Sequence, residues 1–351
     1  MKNCLLLNKI LSLILLFFTS EIKTQIFANY VSDGSFEKAN ESYGYLPKFW
    51  SSIDTSNYFG LWLDGSKVPL NSFGYQWPKN GDKYFIASSY FVNNVRGYPR
   101  NRLKQNLRAG KTYCVTFYVS LTHQSTHGID ALGAYFGDLT MDTIKYCNVP
   151  ITYLTPQVSN PTNNIITDTL NWVAITGTFV ATGSEKYMLI GNFKSDANTN
   201  LALTNPTNIA LFAADYYIDA VSCIEADVAA YAGPDKYILA GDSVYIGRER
   251  DFAVDPYCVW YQLPNTTSID TTSGIWVKPT QTTTYVVQQN LECGSLKWDT
   301  VVVRVGYTGL AELSGKWLEL SVYPNPADEM LNVEFTSVSS EQLEACVFEI
   351  I

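Results

Sequence analysis

Tyr216-Tyr217-Ile218-Asp219-Ala220-Val221-Ser222-Cys223-Ile224 (YYIDAVSCI) is the stretch on which the fold turns. Aromatic and β-branched residues recur at near-alternating spacing, the pattern of a pleated strand, and no i, i+3, i+4 stripe runs through it. Upstream, Thr112 to Leu121 (TYCVTFYVSL), Trp172 to Val180 (WVAITGTFV) and Lys186 to Phe193 (KYMLIGNF) have the same texture. From Ala28 to about Glu225 such runs are broken by Gly, Asn, Pro and Ser, so the region reads as many short strands joined by elaborate loops. The fold class is all-β.

The chain has 351 residues, enough for about two domains at roughly 150 residues each. Charged residues make up only 16%, while Tyr alone numbers 24, which disfavours a charge-rich helical protein. Lys and Arg total 24 against 33 Asp and Glu, a net charge of −9 with no basic run, so nucleic acid is not an expected partner. Lys2 and Lys9 precede the apolar run Ile10 to Phe18, too short to span a bilayer and suited to a signal peptide over 1–24. A retained anchor is the alternative. No later stretch is long enough to cross a membrane, and the mature chain is expected in an oxidising space, secreted or on the outer cell surface by way of the periplasm.

Ser32 to Asn40 (SDGSFEKAN), followed by Trp50, resembles the opening strand of the carbohydrate-binding jelly rolls of the galactose-binding-like superfamily, and YYIDAVSCI resembles their closing strand. The region 28–225, with GDKYFIASS and LRAGKTYCVTFYVSL, is also similar to secreted proteins of Bacteroidetes. The resemblance implies that the first and last strands lie side by side. It also implies a structural calcium near their meeting point, held by Glu37, Asp219 and, as a third contributor, Asp82. At the position after Asp219 the family usually has a second acid; this chain has Ala220.

Between Glu41 and Gly81 runs a Trp-, Tyr- and Gly-bearing stretch with little alternation, which reads as functional loop. A sugar site in a β-sandwich pairs an aromatic platform with a few polar groups. Tyr58, Trp62, Tyr75 and Trp77 are the candidate platform, and Asn71, Gln76 and Arg96 the candidate hydrogen-bonding groups; packing beneath their loops is the competing role, and Trp50 is assigned to the core. His123 and His127 are four apart, but THQSTHG lacks the Glu of H-E-x-x-H and follows a strand. No nucleophile elbow, P-loop or G-x-G-x-x-G occurs, and no catalytic residue is assigned. Among the carboxylates, Asp130, Asp138, Asp142 and Asp215 stay open as a glycosidase pair.

At Glu225 the texture changes to strands parted by Gly-Pro-Asp and Gly-Asp turns: Lys236 to Leu239, Ser243 to Ile246, Cys258 to Gln262, Gly274 to Val277, Thr283 to Gln288 and Thr300 to Val305. The span 228–305 resembles the immunoglobulin-like, polycystic-kidney-disease-like modules of bacterial surface proteins through AGPD, GDSVYIG, CVWY, VKPTQTTTYVV and DTVVVRV. Cys258 and Cys293 lie in this one module and are the expected disulfide, bridging the sheets beside Trp260. Cys114 with Cys147 or Cys223 is a further pairing, buried free thiols being the alternative. Residues 306–317 read as a linker. In 318–351, Tyr323-Pro324-Asn325-Pro326-Ala327-Asp328 between two alternating strands resembles the C-terminal sorting domain of the type IX secretion system, and lacks that domain's usual last hairpin. The secretion machinery is the partner implied. Asp142-Thr143-Ile144, Asp168-Thr169-Leu170, Asp242-Ser243-Val244 and Asp270-Thr271-Thr272 are similar to Bacteroidetes O-glycosylation acceptors.

The function expected from the whole is a non-catalytic secreted or surface protein that binds an extracellular glycan through loops of the first jelly roll. The alternatives are an adhesin or structural surface protein with no sugar site, and a hydrolase with an unrecognised carboxylate pair.

Overall fold

The computed structural model describes residues 29–38, 47–53, 68–144, 149–206 and 212–306, with the backbone of Leu318–Tyr323 and Asn332–Ser337. The signal segment, Tyr58, Trp62, Cys147, Cys346 and residues 324–328 lie outside them. Among the described residues there is no α-helix, only three short 3-10 turns, and no helix long and apolar enough to cross a membrane.

The strands run in chain order as β1 (Trp50–Ser52), β2 (Leu70–Asn71), β3 (Gly74–Tyr75), β4 (Phe85–Phe91), β5 (Pro99–Arg102), β6 (Thr112–Leu121) and β7 (His127–Ile129). There follow β8 (Leu132–Gly137), β9 (Val158–Ser159), β10 (Val173–Val180), β11 (Tyr187–Asn192), β12 (Leu201–Leu203) and β13 (Ala213–Glu225). Two sheets, ordered β1-β5-β11-β8-β9 and β10-β6-β13-β4, enclose one core. Phe117, Val119, Ile218 and Tyr216 reach it from the second sheet and Trp50, Ala134, Phe136, Met188 and Ile190 from the first. The outer face of the first sheet is covered in turn by Met141, Ile151 and Leu154, packed on Tyr98, Tyr187 and Leu189.

The opening segment lies against the closing strand, as the resemblance implies, but residues 30–35 run as bends and turns and not as the strand expected at Ser32 to Asn40. The Asn29 side-chain amide donates to the Val221 carbonyl (3.1 Å) and its oxygen accepts from the Cys223 N–H (3.0 Å). Tyr30 N–H donates to Cys223 O (2.9 Å) and Val221 N–H to Gly34 O (2.8 Å). On its other side Tyr30 O accepts from Lys104 N–H just beyond β5, so the segment ties one sheet to the other. The contact leaves no room for a side chain at position 34, where a Cβ would stand 1.9 Å from Val221 O. Opposite it, β13 shifts register between Asp219 and Ser222, with Ala220 at φ 51.

A second unit comprises β14 (Lys236–Ile238), β15 (Val244–Gly247), β16 (Cys258–Gln262), β17 (Ser268–Asp270), β18 (Gly274–Val277), β19 (Thr283–Gln289) and β20 (Lys297–Val305). The sheet β14-β20-β19-β16-β17 and the ribbon β15-β18 surround the fully buried Trp260. Beyond it β21 (Leu318–Tyr323) and β22 (Asn332–Ser337) pair antiparallel.

The cysteine pairing corrects the expectation. Cys293 bonds Cys114, 179 residues away on β6, while Cys258 and Cys223 are buried free thiols. The reason is where each side chain points. Cys258 packs inward beside Trp260 and Ile246, whereas Cys293, in the turn after β19, leaves its own sheet and joins Ile224, Val228, Val254 and Leu291 in an apolar cluster between the two units. That joint is reinforced by Asn80 donating to Phe252 O (2.8 Å) and Tyr118 donating to Glu292 (2.9 Å).

Two outcomes follow for stability. Gly34→Ala should lower unfolding free energy by about 2 to 4 kcal/mol, read as a fall in the urea midpoint, because Val221 must move and its hydrogen bond with it. Replacing Cys114 and Cys293 by Ala should cost up to about 5 kcal/mol on the chain-entropy relation for so long a loop, seen as a lower melting temperature under non-reducing conditions; an unchanged melt contradicts the pairing.

Candidate functional site

The hairpin β2–β3 and the chain that follows it carry a solvent-facing aromatic ledge. Asn71 starts the turn, accepting from Phe73 N–H (2.9 Å), and Gly74, at φ 135 with the His123 ring against its Cα, provides a conformation other residues rarely adopt. Gln76 N–H donates to Pro69 O (2.8 Å), closing the hairpin arms on each other, and Gln124 N–H donates to Phe73 O (3.2 Å), tying the turn to the sandwich. Tyr75 and Trp77 are left 47% and 59% exposed, edge to face at 6.5 Å, with the indole N–H donating to the Tyr75 hydroxyl (2.8 Å). Trp172, half-buried, donates its indole N–H to Trp77 O (2.9 Å) and borders the ledge. Two residues further on, Lys79 and Asn80 enter a polar cavity of about 390 Å3 between the two units, lined also by Tyr118, Tyr257, Asn290 and Glu292.

The polar candidates chosen from sequence do not line this ledge. Gln76 is buried and donates to the Ser120 hydroxyl (2.6 Å). Asn71 donates to the Tyr84 hydroxyl (2.6 Å) and accepts from Tyr217 (3.2 Å). Arg96 is fully buried, paired with Asp196 at 2.7 Å, donating to Val95 O and Lys194 O and lying over the Tyr90 ring; it braces the fold and, contrary to the expectation, presents no group to a ligand. Lys79, Asn80, Trp172 and Tyr118 were missed. Only the proximity of Trp77 to Lys79-Asn80 hinted at two of them, since the pairing that brings Tyr118 and Trp172 alongside is long-range.

Glu37 and Asp219 do converge on one loop, and they bind it through N–H groups. Glu37 Oε1 accepts from Asp82 N–H (2.8 Å) and Lys83 N–H (3.1 Å). Asp219 Oδ2 accepts from Lys79 N–H (2.7 Å) and Asn80 N–H (3.1 Å), and its Oδ1 from Ala220 N–H (2.6 Å). Burial pushes the Asp219 carboxyl up, and these three donors pull the other way. Oxygens that already face N–H dipoles do not fit a calcium cage, and among the described residues no group of three acidic, His or Cys side chains could hold a metal.

The open carboxylates have structural partners. Asp130 is buried under Asn163 N–H and the Asn200 backbone and side chain, Asp138 caps a 3-10 turn at Thr140, and Asp142 accepts from the Tyr187 hydroxyl. Asp215 sits at the register shift of β13. His123 accepts from Tyr75 N–H (3.4 Å), and His127 packs on Phe212 at 4.0 Å.

No family model and no curated protein matches the chain. Among solved structures it is similar to the CBM22-1 xylan-binding domain of Paenibacillus barcinonensis Xyn10C, at 13% identity and TM-score 0.35, covering 58% of this chain and all of that one. A cellulose-binding domain of Cellulomonas fimi β-1,4-glucanase C is similar at 10% identity and TM-score 0.29, covering 56% of this chain and 97% of that one. The K1 cleaved adhesin domain of Lys-gingipain from Porphyromonas gingivalis W83 matches at 15% identity and TM-score 0.28, covering 54% and 94%. Likenesses this distant say nothing of what this chain binds; the all-β architecture stands on its own strands.

Burial pushes the Asp215 carboxyl up to about 6, with the Ser88 hydroxyl pulling the other way. The folded chain therefore holds a proton there that the unfolded chain has released between about pH 4 and 6, and stability falls as pH rises through that window. Asp215→Asn should remove the fall and raise stability at neutral pH by roughly 2 kcal/mol, measured as melting temperature against pH for both proteins.

Proposed function

We propose that the chain is a secreted or surface-attached, non-catalytic protein that binds an uncharged glycan on the Tyr75–Trp77 ledge. The observation that carries this reading is the exposure of two aromatic rings held edge to face by a hydrogen bond between them. The Trp77 ring is held by its indole N–H on the Tyr75 hydroxyl and its backbone by Trp172, so less rotamer freedom is lost when a sugar ring stacks on it. An aromatic face supplies the apolar half of sugar recognition. Lys79, Asn80, Asn290 and Glu292 in the adjoining cavity supply groups for hydroxyls. In this reading the second unit does more than space the first from whatever follows, because it forms one wall of that cavity. Export by the type IX route belongs to the same proposal and rests on the sequence 323–328 alone, set between the paired β21 and β22.

Screening the full chain on an array of neutral glycans tests it. A bound glycan should lose roughly tenfold in affinity on Trp77→Ala, the equivalent of about 1.4 kcal/mol, with less effect from Tyr75→Ala. Full retention of binding by the Trp77→Ala variant, or no neutral glycan bound by the parent, rejects the ledge.

A further inference from the structure

On the other sheet an open groove of about 590 Å3 runs over β1, β5 and the start of β11. Five cationic side chains line it, Lys48, Arg100, Arg102, Lys104 and Lys186, against the single carboxylate of Asp142. In a chain of net charge −9 such a concentration does not follow from composition. Like charges gathered on one face repel, and that cost is offset when an anion occupies the space between them.

The strand pairing explains how the charges come together. Arg100 and Arg102 are two residues apart on β5 and so project from the same face, with Ser51 of β1 opposite Arg100 and Tyr187 of β11 opposite Arg102. Arg100 is aimed: its Nε donates to the Ser51 hydroxyl (3.1 Å), its Nη1 to Met141 O (2.7 Å), and its guanidinium lies 5.6 Å from the Tyr187 ring centroid. Asp142 is partly spent on the Tyr187 hydroxyl and stands 3.9 Å from Arg100. Lys104 pairs with Asp251 at 3.8 Å. Arg102 and Lys186, by contrast, have no carboxylate partner among the described residues. Beside them the Phe49 ring is 39% exposed, with the Lys38 ammonium 6.0 Å from its centroid.

We propose that this groove binds a polyanionic glycan, carboxylated or sulfated, with Arg102 and Lys186 taking its charges, Arg100 presenting a fixed guanidinium, and Phe49 stacking against a sugar ring. A guanidinium fork matches a carboxylate or sulfate in two parallel hydrogen bonds, which a hydrated lysine cannot imitate. The open length of the groove suits a chain better than a single small ion. A nucleic acid offers the same pairing of anions with flat rings, but the groove exposes a single aromatic ring, Phe49, where a nucleic acid strand stacks one base after another.

The site is separate from the Trp77 ledge, and the test keeps the two apart. Binding of the full chain to heparin as a sulfated glycan, polygalacturonate as a carboxylated one and single-stranded DNA would be measured by titration calorimetry at low and at physiological salt. One of the two glycans should bind, more weakly as salt rises, and the paired variant Arg102→Glu, Lys186→Glu should lose at least about tenfold while melting as the parent does. Should that pair fail to fold, Arg102→Gln alone should still weaken binding severalfold. Trp77→Ala should leave polyanion binding intact, whatever it does to neutral glycans. Absence of binding to both glycans, equal binding by the charge-reversed chain, or tighter binding of DNA than of either glycan would overturn the proposal.

Discussion

Four hydrogen bonds between residues 29–34 and the last strand of the first sandwich hold the remainder in place. Without them the end of β13, past the reach of β4, keeps β6 on one edge and nothing on the other, and the opening segment no longer spans from one sheet to the other. The dependence reaches the surface through two carboxylates. Asp219, displaced by the register shift, grips the N–H groups of Lys79 and Asn80, and Glu37, just past the opening segment, grips those of Asp82 and Lys83. The loop held between them begins two residues after Trp77. The backbone leading away from the exposed ledge is thus anchored to the strand that closes the sandwich.

Those two acids show how a metal-site pattern and a structural one diverge. Both positions need carboxylate oxygens near the meeting of the first and last strands, and sequence alone does not distinguish oxygens turned to a cation from oxygens turned to amide protons. The tight contact at Gly81, where a Cβ would stand 2.2 Å from Glu37 Oε1, brings the loop backbone onto the carboxylate and leaves the N–H groups as its donors.

Much of the strand inventory was legible, because alternation is a local signal. Thr112–Leu121, Cys258–Gln262 and Gly274–Val277 fall as read, and β10, β11 and β13 differ from the reading only at their ends. Among the strands that escaped were Pro99–Arg102, short, polar and led by proline, and Leu132–Gly137, which carries two glycines. The binding surface was legible only where exposure follows from a loop, as at Tyr75 and Trp77. Arg96 reads like a surface base beside that loop, yet Asp196, a hundred residues on, folds back to neutralise it inside. Cys293 was assigned within its own module because nothing local shows that its turn faces Cys114 rather than Cys258. The groove over β5 was not legible at all: its cations are single residues scattered from 48 to 186, brought together by pairing across three strands.

The bond from Cys114 to Cys293 alters how the protein would bear tension. A pull applied at the C-terminal end reaches the second unit first, and without the disulfide only the peptide connection near 226–235 and the non-covalent joint would pass it on. The sulfur bridge instead feeds the load into β6, in the middle of its sheet, with β10 and β13 flanking it along nearly its whole length. Shear then spreads over two ladders at once, so that the central strand of one unit shares whatever load the other receives.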